Sequence, residues 1–305
     1  MIRKDTKILH IEASSACNAS CPMCARNING FPNNQIEISS LGLSWVKNNL
    51  TKDKLLQLDK IFFCGSLGDP CAAPELLNII EYIKQQNPTI TVGINTNGSI
   101  RNNNWWIRCA KLLSGNLDYV VWSIDGLEDT NHLYRKNVVW NKIISNAKAY
   151  ISAGGKAHWD MLVFEHNKHQ VDKCLSLATE LGFSWFRVKE TDRWDHYTDL
   201  DIFSASKYTE INYDNVDNIS CQRNQENSEY IDSYGNIWPC CHIAEAKYNF
   251  LYKKKYTDIQ GYSSKQLCSI YQERLDSNKP FDICKRSCGI THGKKSQWKQ
   301  EICIK

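Results

Sequence analysis

No stretch of about 18 apolar residues, the length a membrane-crossing helix needs, occurs in the 305-residue chain. The opening MIRKDTKILHIEAS lacks an apolar core of the kind a secretory signal carries, so a cytoplasmic chain is expected. No internal repeat is evident, and the Asn and Lys richness reads as compositional bias rather than low complexity. Charge of one sign is scarce too. Lys and Arg number 37 against 33 Asp and Glu, a net +4, and the basic residues scatter apart from short clusters at Lys253, Lys254, Lys255 and at Lys294, Lys295. Solvated loops explain such clusters, so neither a nucleic acid nor a membrane is an expected partner.

What the chain has in plenty is cysteine, 14 in all. A chain this long buries a sizeable core without covalent staples, and the cytosol reduces disulfides. Many of these thiols are therefore read as metal ligands. The composition, 42% hydrophobic and 23% charged, is that of a folded chain with room for one large domain and a small appendage.

Residues 7–190 alternate between strand and helix patterns. Strands are expected at 7–13, 61–64, 90–95, 119–124, 158–164 and 185–189. Helices are expected at 41–50 (capped by Ser39 or Ser40), 74–86, 104–113, 140–152 and 170–181. Six strands with helical crossovers predict an α/β fold, a parallel sheet forming a partial (β/α)6 barrel. Six units fall short of the eight that close a barrel, and the ligand site belongs at the C-terminal ends of the strands. Residues 191–220 lose this pattern and read as a linker. Residues 221–305 hold seven cysteines and read as a small, loop-rich domain held by Cys ligands.

The loop after the first strand carries Cys17, Cys21 and Cys24, spaced C-x3-C-x2-C. Three soft thiolates so close suit three corners of a 4Fe–4S cube, with the fourth iron open. This motif after the first strand of a six-fold βα pattern resembles the radical S-adenosylmethionine (SAM) superfamily. The resemblance implies that the open iron chelates SAM, and that reductive cleavage yields a 5′-deoxyadenosyl radical that takes a hydrogen atom from the substrate. Met23 stands where the family usually has an aromatic residue beside the adenine. Cys64-Gly-Ser-Leu-Gly-Asp-Pro70 follows the second strand, where the family carries a Gly-Gly-Glu-Pro loop for the SAM ammonium; Gly68 and Asp69 would serve here, through backbone carbonyls and one carboxylate. Thr96-Asn97-Gly98 ends the third strand and Ser123-Ile-Asp125-Gly126 the fourth, both resembling family motifs, with Ser123 as the ribose contact. Arg135 is placed against the SAM carboxylate, whose planar shape suits a guanidinium fork. Asn167 is expected to line the same cavity.

Downstream, Cys221 and Cys240 flank a hairpin expected over 229–238, with its turn at Tyr234-Gly235-Asn236, and Cys284 and Cys288 follow as C-x3-C. Four thiolates make a closed site, either 4Fe–4S or zinc. The C-x13-G-x4-C spacing resembles the opening of the SPASM extension, in its shortened "twitch" form with one auxiliary 4Fe–4S cluster. Cys221, Cys240, Cys284 and Cys288 are the assigned ligands, with Cys241 and Cys268 as rivals. Cys109, Cys174, Cys64 and Cys71 are read as packing thiols. The resemblance implies hydrogen abstraction with the auxiliary cluster as electron acceptor, and an electron donor such as flavodoxin or ferredoxin. The first cluster begins at Cys17, with no room before it for a leader-peptide-binding domain, so a small polar substrate such as a sugar, cyclitol or nucleotide derivative is expected. A peptide substrate is the alternative. An iron–sulfur carrier without chemistry of its own, or a zinc-stabilised binding module, are competing readings from other classes.

Overall fold

Short runs rich in branched and aromatic residues, alternating in burial in β1, β2 and β6 and continuously buried at the centre of β3, β4 and β5, form six strands, as expected: β1 (Ile8–Ile11), β2 (Lys60–Phe63), β3 (Thr91–Thr96), β4 (Tyr119–Ser123), β5 (Ala157–Leu162) and β6 (Trp185–Lys189). This computed structural model describes residues 2–28, 30–191, 218–289 and 298–304. The linker expected at 191–220, apart from its two ends, lies outside the described residues, as do Lys294 and Lys295. Each of the six strands pairs parallel with the next in chain order, and β1 does not meet β6. The sheet is thus an open, partial (β/α)6 barrel.

Helices α1 (Leu43–Asn49), α2 (Lys52–Gln57), α3 (Leu76–Gln86), α4 (Asn103–Leu112), α5 (Asn131–Tyr134), α6 (Trp140–Ser152) and α7 (Val171–Leu181) fill the crossovers. Apolar residues of α3, α4, α6 and α7 bury one face of the sheet, and Trp106, Trp122, Trp159 and Tyr150 are wholly buried there. Cys109 and Cys174 lie in this core as packing thiols. Neither Ser39 nor Ser40 caps α1. Its N-cap is Gly42, and the carboxylate of Glu75 accepts from the Leu43 N–H at 3.1 Å. The side chain, brought by the chain fold, replaces the local cap.

Two C-terminal segments extend the sheet. The expected hairpin forms as β7 (Ser228–Ile231) and β8 (Ile237–Trp238), and β7 pairs parallel with β1. Gly235 turns it at φ +83, and the Asp232 carboxylate accepts from Tyr234 N, Asn236 N and the Trp238 indole. On the opposite edge β9 (Trp298–Cys303) runs antiparallel to β6. The rest of the segment is more helical than its composition implied: α8 (Gln222–Glu226), α9 (Cys241–Tyr248), α10 (Phe250–Lys255), α11 (Ser264–Asp276) and α12 (Asp282–Cys288). A second apolar cluster, including Tyr230, Trp238, Ile243, Leu267 and Phe281, packs them together. Among the described residues no helix is long and apolar enough to cross a membrane.

Candidate functional site

The loop after β1 brings Cys17, Cys21 and Cys24 to the C-terminal end of the sheet. Cys21 is buried, and the thiols pack beside Ala19, Met23, Tyr134 and Phe164. Met23 is fully buried in this cluster. Donors point at the sulfurs. The Ala19 N–H lies 3.3 Å from Cys17 Sγ and the Asn97 amide 3.6 Å from it, while Arg135 Nη1 lies 3.8 Å from Cys21 Sγ. Burial pushes the Cys17 thiol up, and pushes Cys21 up to about 11 despite the pull of Arg135. Such donors suit sulfur that carries negative charge, the state a bound metal requires.

The 65–70 loop stacks on this loop. A Cβ on Gly68 would lie 2.1 Å from the Ser14 carbonyl oxygen, so only glycine fits, and Asp69 N–H donates to Ala16 O at 2.8 Å. Asp69 and Thr96 are committed to one another. The buried carboxylate accepts from Thr96 Oγ1 at 2.9 Å, from Cys71 N at 2.9 Å and from Asn97 N at 2.8 Å. Burial pushes the Asp69 carboxyl up, against these donors. The carboxylate expected to meet a SAM ammonium thus already accepts from three groups of the chain itself. Cys71 is fully buried, and its thiol is pushed well up, so it packs rather than reacts.

Ser123 ends β4 half-buried, level with Asp160 on β5. Asp160 pairs with Arg187 Nε at 2.6 Å and with Lys189, so the sheet face beyond Ser123 is polar and charged. Arg135 Nε donates to Asp125 Oδ2 at 2.6 Å. The guanidinium therefore bridges Asp125 and Cys21. Asn167 does not line a cavity. It is fully buried, donating to the Asp125 and Leu162 carbonyls and accepting from Phe164 N.

Gly98 takes φ +76, and a Cβ there would lie 2.3 Å from Trp122 Cε3. Gly98→Ala is expected to cost about 1–3 kcal/mol, from a left-handed backbone and an overpacked indole together. Denaturant unfolding checks this; an unchanged midpoint would refute the strain.

The four downstream thiols also gather. Cys221 is the N-cap of α8 and Cys240 the N-cap of α9. Cys284 and Cys288 lie one turn apart on α12, hence on one face. The Ser220 N–H donates to Cys288 O at 2.8 Å and Ile219 bridges Gly289, which pins α12 to the Cys221 segment. The Tyr271 hydroxyl sits 3.1 Å from Cys221 Sγ. Burial pushes Cys240 up to about 12, and Cys221 and Cys288 are near enough to push it further. Cys284 is raised by burial and then by the same neighbours. A cavity of about 80 Å³ is lined by Cys221, Cys240, Cys241 and Cys288 together with His10, Phe62 and Tyr230. Of the two rivals, Cys241 shares this cavity, whereas Cys268 turns to the Ile237 carbonyl at 3.4 Å. Among the described residues no group of three His, Cys, Asp or Glu side chains is arranged to hold a metal ion. The donor sets are soft thiols throughout, which suits iron–sulfur chemistry.

No family model and no curated protein matches the chain. Solved structures do. SuiB of Streptococcus suis bound to its precursor peptide SuiA is similar over 93% of this chain and 76% of its own, at TM-score 0.57 and 17% identity. Native anSMEcpe with bound AdoMet is similar over 92% and 89%, at TM-score 0.55 and 17% identity. The chain has the radical SAM fold. In another SuiB structure (TM-score 0.52, 16% identity, 78% of this chain) the chain spans 61% of the neighbour's length. Within the radical SAM fold, Asn97 and Glu12 are the residues that sequence reasoning missed. In the sequence Asn97 is only the middle of a motif, and nothing there marks it as a donor to Cys17. Glu12 reads as one polar position in an alternating strand, and its partners lie 55 and 218 residues away.

Proposed function

We propose that the chain is a radical SAM enzyme. The observation that carries this reading is the thiol trio at the end of β1, stacked on the glycine-bearing loop after β2. A 4Fe–4S cluster on Cys17, Cys21 and Cys24 would supply one electron to SAM, whose cleavage yields the 5′-deoxyadenosyl radical that abstracts a hydrogen atom. Asn97 and Arg135 then hold two of the sulfurs by hydrogen bonds, which tunes the site's potential. Gly68 lets the loop backbone reach the SAM amino group, Asp69 and Thr96 brace that loop, and Ser123 contacts the ribose. Reduced, reconstituted protein mixed with SAM should release 5′-deoxyadenosine; its persistent absence refutes the reading.

Cys221, Cys240, Cys284 and Cys288 hold an auxiliary 4Fe–4S cluster in this proposal, the acceptor that makes the reaction a net oxidation. Anaerobic protein should carry about eight iron per chain, and Cys240→Ala about four, with SAM cleavage retained and product formation lost. Eight iron in the variant, or four in the unaltered protein, would remove the auxiliary cluster from the proposal. The charged face of Asp160, Arg187 and Lys189 beside Ser123 favours a polar substrate. A peptide is the second reading, favoured by two neighbours solved with peptides, SuiB with SuiA and anSMEcpe with Cp18Cys.

A further inference from the structure

Glu12 follows β1 and is wholly buried. Its two oxygens serve two distant parts of the molecule. Oε1 accepts from the backbone N–H of Leu67 at 2.5 Å and of Gly68 at 2.9 Å. Oε2 accepts from the hydroxyl of Tyr230 on β7. The Ser66 side chain also bonds Tyr230, so this one ring touches both the carboxylate and the loop it holds.

The geometry has a consequence for the loop carbonyls. Peptide units are trans, so N–H and C=O point in opposite directions. Fixing the N–H groups of Leu67 and Gly68 on Glu12 turns the carbonyls of Ser66 and Leu67 away from it. Those are backbone acceptors of the loop that stacks against the cysteine loop. We infer that Glu12 and Tyr230 are positioning residues that set the Ser66 and Leu67 carbonyls for a cationic amino group, and that they tie SAM binding to the C-terminal hairpin. This rests on the radical SAM reading proposed above.

Glu12 can only hold three donors as a carboxylate. Protonated, it must give up one of them to its own O–H. Burial pushes its carboxyl up to about 7, against the hydrogen bonds from Tyr230, Leu67 and Gly68, with Asp232 raising it slightly more. The other titratable groups around it are few. His10, two residues earlier on the same strand, is pushed down to about 4 by burial, so it is neutral near pH 7. Cys64, just after β2, donates its N–H to the Ile11 carbonyl next to Glu12, and Tyr230, Asp232 and Tyr234 face it from the hairpin. SAM binding should therefore strengthen as pH rises through about 7.

The test measures SAM affinity of the cluster-loaded, full-length protein at pH 6 and pH 8. The unaltered protein is expected to bind about tenfold more tightly at pH 8, as one ionisation near 7 dictates. Glu12→Gln mimics the protonated acid and is expected to bind at both values no more tightly than the unaltered protein does at pH 6, with no pH dependence. Glu12→Ala should bind roughly tenfold or more weakly at both values. Tyr230→Phe removes a bond that stabilises the carboxylate, so its midpoint should move to higher pH. Glu12→Ala binding SAM like the unaltered protein overturns the inference while leaving the proposed function intact. So does a pH dependence that survives in Glu12→Gln. Binding of no SAM by the unaltered protein would instead remove the proposed function. Amide exchange at Leu67 and Gly68 then decides Glu12 alone: slow in the unaltered chain and fast in Glu12→Ala supports the hold, equal rates refute it.

Discussion

Cys17→Ala, Cys21→Ala and Cys24→Ala are each expected to reduce 5′-deoxyadenosine release from SAM to background, a loss of at least about 10³-fold, or more than ~4 kcal/mol of barrier. The expectation rests on three features of one loop. Its thiols are the chemistry it has to offer, since the hydroxyls around them are spent elsewhere: Ser14 and Ser15 bond the 37–40 backbone, and Ser99 bonds Asn97. Two of the sulfurs already receive side-chain N–H groups from Asn97 and Arg135, which an alanine leaves without an acceptor. The loop backbone is separately fixed, by Cys24 N to Cys21 O at 3.2 Å and by the Asn27 amide to Cys21 O at 2.9 Å. The variants should therefore fold, and iron content should fall by about four per chain while the downstream four thiols keep theirs. Cleavage that survives in any of the three variants would refute the assignment of that cysteine.

Asp125→Ala is expected to cost about 3–5 kcal/mol of folding stability. The carboxylate is fully buried and serves two partners, and the backbone N–H is held by a third. Oδ2 meets Arg135 Nε at 2.6 Å, Oδ1 accepts from the Leu162 N–H at 2.7 Å, and the residue's own N–H is held by Asn131 Oδ1 at 2.8 Å. Alanine would leave a mostly buried guanidinium, 18% exposed, without its counter-charge and would orphan a strand-end N–H. Asp125→Asn keeps an acceptor for Leu162 and loses only the charge, so it should cost less than alanine. Urea unfolding of the two variants separates these terms. Equal, small losses for both would show that Arg135 finds another partner, with Cys21 the nearest candidate.

The barrel was legible because its strands obey local rules. Apolar runs at 61–64 and 119–124, bounded by turn residues and separated by amphipathic helices, declare a parallel sheet without reference to anything distant. The thiol trio was legible for the same reason, being a spacing on one loop. What stayed hidden depends on chain segments far apart. Nothing in SEYI at 228–231 says that it lies parallel to β1, and nothing in WKQEIC says that it covers β6. Ser39 and Ser40 look like caps, and lose that role to Glu75, 32 residues after Leu43. Asn167 sits where a cavity residue was expected, but the turn at 162–167 consumes its amide. Cys268 is a rival ligand by sequence, and the packing of α11 against β8 sets its thiol on the Ile237 carbonyl, a partner no local pattern announces.

The two flanking pairings of the sheet carry a further meaning for how the chain reaches its native state. Before β7 and β9 emerge from the ribosome, β1 and β6 each present a bare row of N–H and C=O groups, and such rows invite pairing with another molecule. Their partners, β7 and β9, both follow the six barrel strands in the chain. The nascent barrel must therefore remain unfinished, and exposed to misassembly, until those two segments have emerged.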